Sequence, residues 1–229
     1  MIDLSDLLSG NPYPGRGVLC ARTLSGAYAG GYFLTGRSAA SRDRALRVDG
    51  DELLVGPTAV AEHDPLRHYV AATVTPEWLV LGNGEQVSQV TARLLAGAAA
   101  TVALGGLEYE PDPPIRTSRI TALVSREGSV AVLGAARPSS GSRHAANVMT
   151  LTVRDLEPGE GILLTTYRSD GTEVATAAPF DEVSVTAQDN LQLLEQIWSA
   201  LNPAYRVAAA VLDPATGPRS LLQVTATAG

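Results

Sequence analysis

The sequence predicts an α+β fold in which two largely antiparallel sheets pack face to face and helices cover their outer faces. Three observations predict it. Short apolar runs of β-type composition recur and mostly follow one another directly, which favours antiparallel pairing. Two segments switch to a three- and four-residue apolar period, and each comes after a block of strand-like runs. No Pro/Gly/Ser-rich linker divides the 229 residues, so residues 1–229 read as one domain.

Val18–Thr23 and Ala29–Thr35 form the first strand pair, with Ser25-Gly26 at the turn. Strand-like runs follow at Arg44–Val48, Leu53–Val55, Tyr69–Val74 and Trp78–Leu81. Val87, Val90, Leu94, Leu95, Ala98 and Val102 then share one helical face, and Gly105-Gly106 ends that helix. After the proline-rich loop Pro111–Pro114 come strands at Ile120–Ser125, Val130–Leu133, Ala146–Val153 and Ile162–Tyr167. Thr186-Ala187-Gln188-Asp189 has the spacing of a helix-capping pattern, with Asp as its fourth residue. The helix it opens carries Leu191, Leu194, Trp198 and Leu201, widened by Leu193 and Ile197, and stops at Asn202-Pro203. Arg206–Leu212 and Leu221–Ala226 are the last strands.

Composition limits the function classes. The apolar fraction is 45% and the formal charge is −7, which fits a soluble globular protein and argues against a nucleic-acid binder. Met1-Ile2-Asp3-Leu4-Ser5-Asp6 lacks the basic and apolar regions of a signal peptide, and no window suits a membrane span, so a cytoplasmic location is expected. Cys20 is the single cysteine and sits in an apolar run, where a buried, inert thiol is the default. His63, His68 and His144 have no metal-ligand spacing. No complete dinucleotide or phosphate-loop glycine motif is present, nor is a nucleophile-elbow serine. These absences predict neither a metal nor a cofactor.

All seventeen cationic side chains are arginine, which excludes any lysine Schiff base. Base composition explains arginine over lysine but not the clustering of six arginines between Arg16 and Arg47. Arginine's planar fork suits phosphate and carboxylate, so an arginine-rich site in an acidic protein points to a small anion.

Four polar clusters interrupt the apolar runs. Tyr13-Pro14-Gly15-Arg16-Gly17 precedes the first strand, and its glycines allow a ligand close to the backbone. Gly36–Arg44 holds Arg37, Arg42 and Arg44 with Ser38 and Ser41; if residues 42–44 are extended, Arg42 and Arg44 share a face. Gly82-Asn83-Gly84 leads into the first helix, where backbone amides can meet an anion. Tyr109–Ile120 sets Glu110, Asp112, Thr117 and Arg119 in a loop stiffened by prolines. Each cluster alone also fits an ordinary turn or a solvated loop.

Together the clusters resemble the archaeal-type IMP cyclohydrolases and their bacterial relatives. The matching residues are Tyr13, Gly15 and Arg16; Arg37, Ser38 and Arg42; Tyr69; Asn83-Gly84; and Tyr109, Glu110, Asp112, Thr117, Arg119 and Ile120, with Thr166-Tyr167 as a further match. Two positions depart from the family pattern: Val70 follows Tyr69 where the family has Asn, and Ser118 precedes Arg119-Ile120 where it has Pro.

The resemblance implies a four-layer αββα sandwich like that of the N-terminal-nucleophile hydrolases, without their self-processing nucleophile. It implies closure of a formamido-imidazole carboxamide ribotide to inosine monophosphate with loss of water, and no cofactor. The implied partner is a purine ribonucleotide, with no nucleic acid or membrane, and self-association stays open. Within it, Arg16, Arg42 and Arg44 would hold the phosphate or base, helped by Tyr13, Ser38, Asp112 and Thr117. Arg37 and Asn83 would polarise the formyl or carboxamide oxygen. Glu110 would accept the proton, Tyr69 would donate from its hydroxyl, and Arg119 would orient Glu110 or touch substrate. Three alternatives stay beside this reading: a related ring closure, which Val70 keeps open, a nucleotide-binding protein without catalysis, and a structural domain whose arginines pair with the acidic surplus.

Overall fold

The fold is given by a computed structural model, which describes residues 1–59, 64, 66–139, 145–172, 175–176 and 180–226. His63 and His144 lie outside the described residues. The architecture is mixed α+β with mostly antiparallel sheets and few helices, as the sequence predicts.

The first sheet is built from β1 (Ile2–Asp3), β2 (Arg16–Arg22), β3 (Tyr28–Thr35), β11 (Glu160–Thr165), β14 (Asp181–Ser184), β15 (Arg206–Leu212) and β16 (Leu222–Thr225). Their order is β1-β14-β11-β2-β3-β15-β16, and only β1–β14 is parallel. The second contains β4 (Ala45–Asp49), β5 (Glu52–Gly56), β6 (Tyr69–Val74), β7 (Trp78–Gly82), β8 (Arg119–Ser125), β9 (Val130–Pro138) and β10 (Ala146–Arg154). It is an antiparallel meander in the order β10-β9-β8-β7-β6-β5-β4. A small ribbon pairs β12 (Tyr167–Arg168) with β13 (Ala175–Thr176).

Burial explains the sequence pattern. β2, β3, β7, β8 and β15 are apolar along most of their length because both faces are covered. One apolar cluster takes Val18, Tyr32 and Leu34 from the first sheet and Leu79, Leu81 and Ile120 from the second, so it lies between them. A second joins the other face of the first sheet, through Leu19, Phe33 and Val211, to helices α1 (Leu4–Ser9) and α5 (Asn190–Ala200). A third joins Val80, Leu123 and Val132 of the second sheet to α3 (Gln86–Leu95) and α4 (Ala100–Ala103). Among the described residues no helix is long and apolar enough to cross a membrane.

Several local expectations change. The helix expected across 87–102 is two helices, because Gly97 takes φ +86° and Ala98 N–H donates to the Arg93 carbonyl, closing α3 with a left-handed cap. The Arg93 guanidinium then donates to the Ala103 and Gly105 carbonyls and caps α4. α5 is capped by Asp189, which accepts from Gln192 N–H at 2.9 Å, and not by Thr186. α1 was not foreseen, although Asp3 caps it by accepting from Ser5 N–H at 2.7 Å. Residues 42–44 are not extended: Ala39–Arg42 is a short helix, α2, capped by the Ser38 and Ser41 hydroxyls. Arg42 and Arg44 therefore do not share a face as strand neighbours.

Antiparallel connectivity positions the site. It brings the starts of β2, β6, β8 and β15 and the ends of β3, β7 and β11 to one end of the two sheets. Three of the four polar clusters of the sequence sit at such strand ends, and the Gly36–Arg44 segment follows directly from the end of β3.

Candidate active site

Glu110 anchors the site. Its loop is closed by its own N–H donating to the Thr117 carbonyl at 2.8 Å. Asp112 tightens the loop further, accepting from Thr117 N–H at 2.7 Å and from the Thr117 hydroxyl at 2.5 Å. Tyr167 completes the chain through a hydroxyl contact to Thr117 Oγ1. The clamped loop carries the Glu110 carboxylate to the start of β2 in the opposite sheet. There Arg16 Nη2 lies 3.1 Å from both carboxylate oxygens. The pair is almost wholly buried.

Burial pushes the Glu110 carboxyl above the ordinary glutamate value, and Arg16 and Arg119 pull it back only in part. Burial works against the Arg16 charge as well, but Glu110 and the nearby Tyr69, Tyr167 and Tyr32 hold Arg16 above its ordinary value. The result is a charged arginine beside a carboxylate that protonates more readily than usual. Such a carboxylate is a stronger proton acceptor than an exposed glutamate.

Asn83 sits beneath Glu110 and is fully buried. Its amide nitrogen donates to Glu110 Oε1 at 3.2 Å and to the Ser118 carbonyl at 2.9 Å. Its oxygen accepts from Ile120 N–H at 2.8 Å and from Gln86 Nε2 at 2.9 Å. The end of β7, the start of α3 and the start of β8 are thereby tied at one side chain. Both amide hydrogens are engaged internally, so Asn83 orients Glu110 and has no donor left for a substrate oxygen.

The arginine cluster divides. Arg44 is 4% exposed, donates from Nε to the Ser41 carbonyl at 2.8 Å and from Nη2 to the Thr35 carbonyl at 3.0 Å. Among the described residues it has no carboxylate partner. Burial lowers its pKa, as does the Arg16 charge, while the Tyr69, Tyr32 and Tyr13 hydroxyls support it. Arg42 is exposed and donates to the Gly36 carbonyl at 3.2 Å. Arg37 is exposed at the rim, 5.7 Å above the Tyr13 ring, and donates to the Gly171 and Thr172 carbonyls. Neither lines the cleft above Glu110, so Arg37 is not placed to polarise a reacting oxygen there. Ser38 is likewise exposed and serves as the cap of α2.

That cleft has a volume of about 200 Å3, and Arg16, Arg44, Glu110, Asp112, Tyr13 and Tyr167 are in its walls. Tyr13 stacks on Tyr167 at 5.9 Å and meets the edge of Tyr205 at 5.3 Å. Tyr69 lies deeper, its hydroxyl 2.7 Å from that of Tyr32. Arg119 is half-buried, its Nε has no hydrogen-bond partner among the described residues, and it acts on Glu110 through its charge. Gly15, at φ +76°, approaches Thr166 and Tyr167: a β-carbon there would lie 2.1 Å from Thr166 Oγ1. The missing side chain is thus required by packing within the protein, and the same glycine lies in the wall of the cleft.

Val70 packs against the helix-side cluster, away from Tyr69 and Glu110. Val70 is therefore not in the wall of the cleft. At the other departure, Ser118 contributes its carbonyl to Asn83.

Sequence reasoning did not assign Tyr32, Gln86, Thr35 or Arg67. Tyr32 and Gln86 are polar groups at positions that follow apolar periodicity, one on β3 and one opening α3, and that mismatch is their only sequence signal. Thr35 and Arg67 carry no such signal, although both line the cleft.

The sequence pattern of the IMP cyclohydrolase-like protein family matches residues 13–216. The chain belongs to this family. The match begins at Tyr13 and spans the Glu110 cleft and all twelve residues named from sequence for the site. In this IMP cyclohydrolase-like chain, α1 precedes the matched span and β16 follows it. No curated protein matches the chain.

Proposed function

We propose that the protein closes the pyrimidine ring of a formamido-imidazole carboxamide ribotide, giving inosine monophosphate and water. The observation that carries this reading is the buried Glu110 carboxylate, raised in pKa, fixed by Arg16 and Asn83 and opening on a cationic cleft. Family membership supports the same class of reaction.

The chemistry asks for a base, a charge to receive the formyl oxygen, and fixed approach of two groups on one substrate. Glu110 takes the carboxamide proton as the nitrogen bonds to the formyl carbon. Arg16, already beside Glu110, stabilises the charge that develops on the formyl oxygen, and a hydroxyl of the Tyr69, Tyr32 and Tyr167 group delivers a proton to it. In the second stage protonated Glu110 returns its proton to that hydroxyl, the C–O bond breaks and the oxygen leaves as water, while the deprotonated tyrosine takes the proton that a ring nitrogen gives up as the C=N bond forms. The sequence balances without electron transfer, so no redox cofactor enters. Arg44, buried and without a carboxylate among the described residues, supplies positive charge for the ribotide's phosphate.

The same reading takes residues 1–229 as one domain of the four-layer αββα type, similar to the N-terminal-nucleophile hydrolases, acting in the cytoplasm on a free ribonucleotide. The three stacked apolar clusters support the layer order. The test is direct: purified protein is mixed with the formamido ribotide without metal or cofactor, and hypoxanthine absorbance is followed above the spontaneous rate. Folded protein that gives no acceleration refutes the proposal.

A further inference from the structure

Tyr32, Tyr69 and Tyr167 each place a hydroxyl where its charge acts on Arg16, and each hydroxyl carries one hydrogen. Where those hydrogens point decides which hydroxyl can serve a substrate. Tyr167 is already committed. Thr117 Oγ1 donates its single hydrogen to the Asp112 carboxylate at 2.5 Å, so in its contact with Tyr167 it accepts and Tyr167 donates. The other two hydroxyls share one bond, Tyr32 Oη to Tyr69 Oη at 2.7 Å, which joins β3 of one sheet to β6 of the other. One of them donates, and the other keeps a free hydrogen. Tyr32 is 0% exposed and belongs to the apolar cluster between the sheets, and among the described residues its hydroxyl has no other partner. A Tyr32 hydrogen turned away from Tyr69 would be buried without an acceptor, which is unfavourable. Tyr69 is 7% exposed, and its oxygen acts electrostatically on both Arg16 and Arg44 of the cleft wall. The free hydrogen therefore belongs to Tyr69. Packing does not ask for the Tyr32 oxygen. Gly30, against Leu79 and Leu81, and Leu34 share its face of β3, an apolar row that a phenylalanine would continue.

We propose that Tyr32 is a positioning residue: its hydroxyl donates to Tyr69 Oη and turns the Tyr69 hydrogen toward the cleft, which makes Tyr69 the hydroxyl that protonates the formyl oxygen. The chemistry that follows rests on the proposed ring closure. Tyr69 gives its proton to the formyl oxygen as the carbon–nitrogen bond forms, and its oxyanion is held by the Tyr32 hydrogen and by the charges of Arg16 and Arg44. Tyr69 regains a proton when the ring nitrogen gives one up. The Tyr32 proton stays where it is throughout.

Two measurements test this. Neutron diffraction from crystals of the wild-type full chain in heavy water should show the Tyr32 hydroxyl deuterium on the line to Tyr69 Oη and the Tyr69 deuterium directed away from Tyr32. It needs neither turnover nor a variant that folds. Tyr32→Phe keeps the ring and removes the orienting hydrogen, so kcat for ring closure should fall about tenfold or more while KM stays within about twofold of wild type. Added to Tyr69→Phe, the same substitution should cost nothing further, because it acts only through Tyr69. A merely structural role would lower both backgrounds alike. A Tyr69 deuterium on the line to Tyr32, an unchanged kcat in Tyr32→Phe, or equal losses in the two backgrounds overturns the proposal. Wild-type protein that does not accelerate ring closure refutes the proposed function instead, and the deuterium positions still decide which tyrosine donates.

Discussion

Replacing Glu110 by glutamine tests the site at the atom on which the chemistry depends. The glutamine oxygen can occupy the position of Oε1, where it still accepts from Arg16 Nη2 at 3.1 Å and Asn83 Nδ2 at 3.2 Å. Its amide nitrogen then replaces Oε2, 3.1 Å from the same Nη2, so one donor faces another. Arg16 also loses its buried counter-charge. These terms oppose the relief of no longer burying a carboxylate, so the net stability change should stay within about 2 kcal/mol. The chemical loss is larger, because removing a positioned base costs about 10²–10⁴ in rate, or about 3–5 kcal/mol of barrier. The assay is kcat/KM for ring closure across pH, with circular dichroism to confirm folding. Wild-type activity should rise with pH through an apparent pKa above the ordinary 4.5, because burial raises the Glu110 value and the base must be ionised. That limb should vanish in Glu110→Gln. A folded glutamine variant with turnover within a few-fold of wild type would refute the assignment. Linkage fixes a second sign. A carboxyl with a raised folded-state pKa contributes stability that is full below 4.5 and is lost as pH rises through the raised value. Wild type should therefore lose stability relative to Glu110→Gln over that window, as urea titrations at several pH values would show.

Asn83→Ala leaves Ile120 N–H and the Ser118 carbonyl without their partner, so urea unfolding should show a loss of about 2–4 kcal/mol. Arg44→Met should raise KM for the ribotide about tenfold or more while kcat changes less, since a buried cation is removed from the anion side and not from Glu110. Steady-state kinetics separates the two parameters, and unchanged KM would remove Arg44 from substrate binding. Gly15→Ala must place a methyl group against Thr166 and Tyr167 at positive φ, and should lower stability by about 2 kcal/mol or more in thermal melts. Arg37→Ala, exposed and bonded only to carbonyls, should leave kcat/KM within about fivefold of wild type; a hundredfold loss would show that it reaches the reacting groups.

The sequence alone determined much of this protein. Period-two and period-3.6 apolar patterns located nearly all the long strands and both principal helices, because covered sheet faces and helix stripes demand them. The order of polar clusters also named Arg16, Asn83, Glu110, Asp112 and Thr117, which do meet. Tertiary structure decided their partners. Asn83 reads as a substrate donor until Ser118, Ile120 and Gln86, between 3 and 37 residues away, take up its amide. Arg37, Arg42 and Arg44 look equivalent within eight positions of chain, yet a four-residue helix turns Arg44 inward and leaves the other two exposed. A hydrogen-bond partner or a buried charge depends on which strand end arrives opposite, and that information lies in the packing of the two sheets, not in local spacing.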